Sequence, residues 1–408
     1  MIQNMPDISI QAFDYELPDS YIAFFPSQQR DESRLLVHQL EQTKHHSFQD
    51  LPDLVPADSL FIFNNTKVIP ARIQLQKESG TSIELFLLKP LADNIATQQV
   101  MEQCREITWE CLVGNKKRWK SGDTLKKSIY SNGHKVELTI QWHNRELNQV
   151  QILWDSDHTF AAILTEIGKI PLPPYMTRDT ELTDLDRYQT VFSKELGAVA
   201  APTASLHFTP AILDKLKSKG IQQSFLTLHV GAGTFLPVKE DEIRNHPMHR
   251  EQLIFERDFI IQLMQHKGSF IPVGTTALRA LESLYWSGVW ILEHHEIPQS
   301  GLIIPKEYAY QDRAIIPNEV ALTAILNYMD ANQQSTWLAQ TELLIMPTYR
   351  FHFCDALVTN FHQPKSTLLV LVSALIGDAW KSIYEEAKQA DYRFLSYGDA
   401  CLFFKKGK

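Results

Sequence analysis

The hydrophobic period changes twice along this chain, and that change limits its fold more than any single motif. Between Arg72 and Trp154, apolar and polar residues alternate in Ser82–Leu88, Thr108–Val113, Lys135–Trp142 and Val150–Trp154, the two-residue period of half-buried strands. Turn sequences such as Lys120-Ser-Gly-Asp123 and Ser131-Asn-Gly133 separate these runs. Short strands joined by tight turns predict a small β-barrel over residues 72–154. The flanking text is different: Ser59–Phe63 is a continuous apolar strand, and a helix at Pro210–Lys219 stands between two strand-like motifs. A strand–helix–strand order points to a parallel sheet. The expected architecture is therefore α/β, with a largely parallel sheet in a discontinuous domain, 1–71 and 155–408, and the barrel domain inserted into it. A chain of 408 residues with 44% apolar content can fill two such cores.

Charge and composition exclude several classes. The start, Met1-Ile-Gln-Asn-Met-Pro6, has neither a basic nor an apolar leader segment, and no apolar run reaches membrane-spanning length. A monomeric, cytoplasmic protein without a membrane contact is expected. Cys104, Cys111, Cys354 and Cys401 form no C-x-x-C pair, so they read as core thiols and no metal is signalled. A net charge of −9 argues against general adhesion to nucleic acid, so any RNA contact must be a local patch. Lys116, Lys117, Arg118 and Lys120 around Trp119, with Lys126 and Lys127 close by, are either that patch or a solvated hairpin loop.

The chemistry-bearing residues gather on loops. Gly197–Phe208 lines up small residues and ends in His207 and Phe208; Thr227–Val238 carries His229, then turns on Gly231 and Gly233 before Thr234 and Phe235. Small residues let a flat ligand or another backbone approach closely. His246-Pro-Met-His249-Arg-Glu251 puts two histidines and a carboxylate in one short segment, without the spacing of a metal site. Gly274-Thr275-Thr276 opens the helix Ala277–Tyr285, and free N–H groups at a helix start favour an anion. Asn360-Phe361-His362 follows the strand Ala356–Thr359, and Ser366 caps the apolar helix Thr367–Ile376. The Gly231-x-Gly233 turn lacks the third glycine of a dinucleotide fingerprint, and neither a phosphate loop nor a Gly-x-Ser-x-Gly elbow occurs. Nicotinamide, kinase and serine-hydrolase chemistry are thereby disfavoured, and nucleoside-binding loops remain.

These motifs, running in order from Phe13–Pro18 to Tyr392–Asp399, resemble the S-adenosylmethionine:tRNA ribosyltransferase-isomerase family of queuosine biosynthesis. The resemblance implies an enzyme that moves the ribosyl part of S-adenosylmethionine onto 7-aminomethyl-7-deazaguanine at the wobble position of a tRNA. The sugar is isomerised to an epoxycyclopentane, and adenine and methionine leave. It implies S-adenosylmethionine as cosubstrate and no cofactor, because the sulfonium is already an activated leaving group. Proton transfers at C5′, at the attacking amine and at adenine suit histidine, so His207 and His229, then His249 and His362, are the catalytic candidates. Gly231, Gly233, Thr234, Phe235, Gly274, Thr275 and Thr276 are candidates for the cosubstrate, the helix start taking its methionine carboxylate. Phe208, Asn360 and Phe361 are candidates for the base, with Lys116, Lys117 and Arg118 for tRNA. Arg30, Ser33 and Arg34 either hold a carboxylate or phosphate or form salt-bridged surface. Departures from the family pattern at Asn65, Lys67 and Thr348, and extra text between about 290 and 340, leave two other readings open. One is a paralogue that binds tRNA or an adenine nucleoside without the full reaction; the other is an enzyme acting on a small 7-deazapurine.

Overall fold

The computed structural model describes residues 5–92, 95–131, 133–235 and 237–407, and of Ala232 and Phe235 the backbone alone. Leu60–Asn64 is buried at every residue, as a strand covered on both faces must be, and it lies inside a six-stranded sheet. Phe270–Pro272 and Gln222–Leu228 flank it in parallel. Beyond Gln222–Leu228 the pairing turns antiparallel through Glu251–Glu256 and Thr336–Thr341, and Ile303–Ile304 closes the edge in parallel. The sheet is thus mixed, with the expected parallel run confined to three neighbouring strands. The reason is local: among its described residues the link from Leu228 to Glu251 holds short 3-10 turns and no crossover helix, so the chain re-enters beside the strand it left. Two of the six strands come from the 290–340 segment, which also supplies the helix Asn318–Ala331.

A four-stranded sheet, Ala356–Asn360, Ala400–Phe404, Arg34–Gln39 and Gln42–Ser47 in that order, meets the first through a parallel bridge between Val273 and Val358. Helix Pro210–Ser218 does connect Glu195–Ala198 to Gln222–Leu228. The two strands are not neighbours, however. Glu195–Ala198 pairs with Thr66–Val68 instead, so the strand–helix–strand unit spans two sheets, and the parallel pairing expected of that order does not form between its strands.

The alternating text folds as expected into strands, all paired antiparallel in a seven-stranded sheet running from Gly168–Lys169 and Arg72–Gln76 to Leu125–Ser131. It curls until Lys127 Nζ, on the last strand, donates to the Gln74 carbonyl at 3.1 Å. Its interior is aliphatic and indole: Ile83, Leu85, Trp109, Trp119, Ile140 and Ile152 are buried together. Helix Phe160–Ile167, N-capped by Thr159, packs into the same cluster. It stops at Gly168, where a Cβ would stand 1.9 Å from the Pro70 carbonyl, so only glycine lets the next residues pair with Arg72 and Ile73.

Helix Thr275–His294 is longer than the sequence suggested and buried over most of its length, lying in the core cluster with the six-stranded sheet and helix Asn318–Ala331. His294 and His295 at its end are exposed. Thr348 adopts φ 83°, the left-handed geometry that a threonine tolerates poorly. Among the described residues no single helix is long and apolar enough to cross a membrane.

Candidate active site

A cleft opens where the carboxyl end of Ala356–Asn360, the start of helix Thr275–His294 and the loop after Gln222–Leu228 converge. Thr203, Thr234, Gly274, Thr275, Thr276, Asn360, Phe361 and His362 line it, together with Tyr175 and Ser396. The cleft encloses about 580 Å3, its open mouth included. A second lobe shares Thr234, Thr275, Thr276 and Leu368 with the first and is lined further by Gly233, His249, Glu251 and Arg279. Two sequence segments forty residues apart, the glycine turn and the helix start, are brought together here. The Phe235 ring lies outside the described set.

Asn360 organises the floor of the first lobe. Its side-chain oxygen accepts the Thr203 hydroxyl at 2.8 Å, and its amide nitrogen faces His207 Nε2 at 3.1 Å. That orientation makes Nε2 the acceptor, so His207 carries its proton on Nδ1 and donates to Ser33 Oγ at 2.8 Å. Burial pushes His207 down to about 4; it is neutral near pH 7 with both nitrogens engaged. It lines a smaller cavity with Arg30 and Arg187 on the far side of this network. Arg30 donates to the Asp186 and Leu206 carbonyls, and Arg34 covers the Tyr392 ring at 3.8 Å. Ser33, Arg30 and Arg34 hold the chain around the site.

His229 is buried below the cleft, beside the lining residue Val230. Its Nδ1 meets Thr66 Oγ1 at 2.9 Å, and Nε2 has no hydrogen-bond partner among the described residues. Desolvation lowers it to about 4. The loops that carry His207 and His229 both line the first lobe, through residues 201–204 and through Val230 and Thr234, but neither histidine is among its lining residues. His362 and His249 instead line the two lobes. His362 Nε2 bonds Thr359 Oγ1 at 2.9 Å, and burial lowers the ring to about 3. His249 is lowered as well, first by burial, then by His246 and Arg279. It lies against the glycine turn: a Cβ on Gly233 would fall 1.9 Å from its ring.

Of the aromatic candidates, Phe361 lines the first lobe and stacks on Phe394 with centroids 4.5 Å apart. Phe208 is a correction: it is fully buried between Phe48, Phe61 and Phe63, in a core with no open face for a base. Trp119 is likewise a core residue, packed on Trp142 at 4.2 Å. Lys117 and Arg118 are exposed around it, whereas Lys116 donates to Asn148 Oδ1 at 2.6 Å.

Glu251 and Arg279 were not singled out as a pair by sequence. Arg279 stands one helical turn after Thr275, and it contacts Glu251. Glu251 Oε1 also accepts from Gly231 N at 3.0 Å and Thr234 Oγ1 at 3.1 Å. Desolvation lowers Arg279 to about 10, so it remains charged near neutrality. The available signal was a lone arginine inside an otherwise apolar helical run, Thr275-Thr-Ala-Leu-Arg-Ala-Leu281.

A queuosine biosynthesis protein family model matches residues 10–403. The chain belongs to that family. It is 36% identical over 404 residues to the S-adenosylmethionine:tRNA ribosyltransferase-isomerase of Acaryochloris marina, covering 97% of this chain and 94% of that one. To the protein of the same description from Trichlorobacter lovleyi it is 35% identical, with 96% and 99% covered. The crystal structure of S-adenosylmethionine tRNA ribosyltransferase from Thermotoga maritima is similar over 96% of this chain and 100% of that one, at 25% identity and a TM-score of 0.45. Family membership also frames the departures. Asn65 Oδ1 accepts the Thr227 hydroxyl at 2.7 Å, a bond that an aspartate would equally accept, and Lys67 is exposed.

Proposed function

We propose that this protein transfers and isomerises the ribosyl part of S-adenosylmethionine onto 7-aminomethyl-7-deazaguanine at the wobble position of a tRNA, releasing adenine and methionine. Near full-length relationship to ribosyltransferase-isomerases carries the reading. The two-lobed cleft supports it, since it joins a glycine turn, a helix start and two histidines. The cosubstrate lies across Gly231–Thr234 and Gly274–Thr276, its anionic end toward the helix start. Thr276 Oγ1, buried and without a partner among the described residues, is a ready donor there.

His249 sits on the second-lobe side of the glycine turn and serves as the base for the C5′ proton beside the sulfonium. Held neutral by burial, it is in the form that accepts a proton. His362, with Asn360 and Phe361, faces the incoming base in the first lobe. His207 acts through Asn360 as a positioning residue, and His229 supports the loop from beneath. Residues 69–169, the curled sheet with its helix, form an inserted domain with its own core, wider than the span 72–154 that alternation alone suggests. Exposed Lys117, Arg118 and Lys120 on it contribute to RNA affinity.

Incubation with S-adenosylmethionine and tRNA bearing the aminomethyl base, followed by nucleoside mass analysis, tests the proposal. Epoxycyclopentane-modified nucleoside in the tRNA is the expected product. Modification of free base alone, or adenine nucleoside binding with no product, would replace it.

A further inference from the structure

The second lobe poses a question of cost. Met248, Leu343, Leu344, Ile345 and Leu371 give it an apolar wall, yet Glu251 and Arg279 face one another in it. Their side chains are 1% and 15% exposed. Removing two charges from water costs several kcal/mol each, and well-packed apolar residues of similar volume usually serve stability as well. Stability alone therefore gives no reason for this pair. A ligand does, if it carries both charges itself.

We infer that the second lobe is the seat of the cosubstrate's amino-acid end, with Arg279 taking the α-carboxylate, Glu251 the α-ammonium and the apolar wall the methylene chain. This rests on the cleft being the cosubstrate site. Donor arithmetic leaves room for it. A guanidinium has five N–H donors in a fork that suits a carboxylate, and Glu251 alone cannot occupy them. A carboxylate offers about four acceptor directions; Gly231 N, Thr234 Oγ1 and Arg279 fill three, which leaves one for an ammonium N–H.

The placement also fits the order of the groups along the ligand. Thr234, Thr275 and Thr276 line both lobes, so an amino-acid end in the second lobe puts the sulfonium at the junction and the nucleoside in the first. Arg279 lies four residues after Thr275 on the same helix face, so the carboxylate meets the helix start and the guanidinium together. Glu251 meanwhile holds Gly231 and Thr234 in place, which couples recognition of the ammonium to the shape of the glycine turn.

Calorimetric titration with S-adenosylhomocysteine and with 5′-methylthioadenosine separates the two ends, since both are uncharged at sulfur and only the first carries the amino acid. The parent protein should prefer S-adenosylhomocysteine by about 10–100-fold, the range of one or two charge-assisted bonds. In the Arg279→Gln/Glu251→Gln double variant, which leaves no unpaired buried charge, the preference should fall to within about threefold, with methylthioadenosine affinity kept. A ratio of dissociation constants does not depend on how much of the variant is folded. Retention of the parent's preference by the double variant overturns this inference alone, as does a parent that binds both ligands equally. Binding of neither ligand by the parent overturns the cleft assignment along with it.

Discussion

The curled antiparallel region and the mixed-sheet region bury side chains by opposite rules. Among described residues between 69 and 169, the buried polar side chains are Thr97 and Ser131, and neither ionises. The rest of the chain buries His207, His229, His362, Glu251, Glu282 and Asp184. A buried titratable group costs more than a methylene, so the mixed-sheet region gives up stability for groups that the antiparallel region does without. The lesson is that acid–base capacity is concentrated in one part of the molecule and the other is built as a scaffold.

Acid should break this balance most. His207 and His229 are held near 4, and His362 and His352 near 3, against an ordinary 6.5. The unfolded chain takes up protons first, so their contribution is complete above about pH 6.5 and is lost as pH falls toward 4, by up to about 2 kcal/mol per histidine at pH 5. Glu282 works in the other direction: burial raises it to about 7, so its share is present below about pH 4.5 and lost toward 7. Four histidines outweigh one glutamate, and urea unfolding should give a clearly lower stability at pH 5 than at pH 7. Equal stability at the two pH values would show that these rings are not held neutral.

Next in size is Glu282→Leu. Its carboxylate accepts Tyr349 OH at 2.8 Å, Phe353 N at 2.9 Å and His352 N at 3.0 Å. Stranding those donors should cost about 3 kcal/mol or more, whereas Glu137→Ala on the exposed face of the antiparallel sheet should leave the urea midpoint where it was. Similar midpoints for the two variants would erase the distinction between the regions.

Catalytic substitutions sharpen it further. His249→Gln and His362→Gln should lower turnover by about 10²-fold with tRNA affinity near normal. His207→Gln should fall less, because it acts through Asn360. A His207 variant slower than both of the others would move the proton transfer back to that side of the cleft. The smallest effect is expected at the surface of the antiparallel region: Lys117→Ala with Arg118→Ala should lower the salt-dependence slope of tRNA binding by about one for every phosphate that is no longer neutralised. An unchanged slope would assign these side chains to solvent.

Legibility followed the same divide. Alternation located the antiparallel strands because a half-buried strand writes its exposure into every second residue. Ser366 as a cap and a buried strand at Ser59–Phe63, observed at Leu60–Asn64, were equally readable, each being a local or single-element property. Pairing partners were not. Whether Glu195–Ala198 lies beside Gln222–Leu228 depends on what Thr66–Val68 offers it, more than a hundred residues away, and no window of sequence holds both. The same limit hid the Glu251–Arg279 contact and made Phe208 resemble a ligand platform, since its motif shows the small residues before it but not Phe48, Phe61 and Phe63 around it.

Gln252 gives the divide a last significance. Its side-chain oxygen takes both the backbone N–H and the hydroxyl of Thr97, at 2.9 and 3.1 Å, and its nitrogen donates to the Ile95 carbonyl at 2.9 Å. Consecutive residues of a strand point to opposite faces, so the scaffold grips the back of the strand whose front presents Glu251. Any displacement of the scaffold would therefore load a lever with a fulcrum at Gln252 and its working end one residue away, where Glu251 lines the cleft.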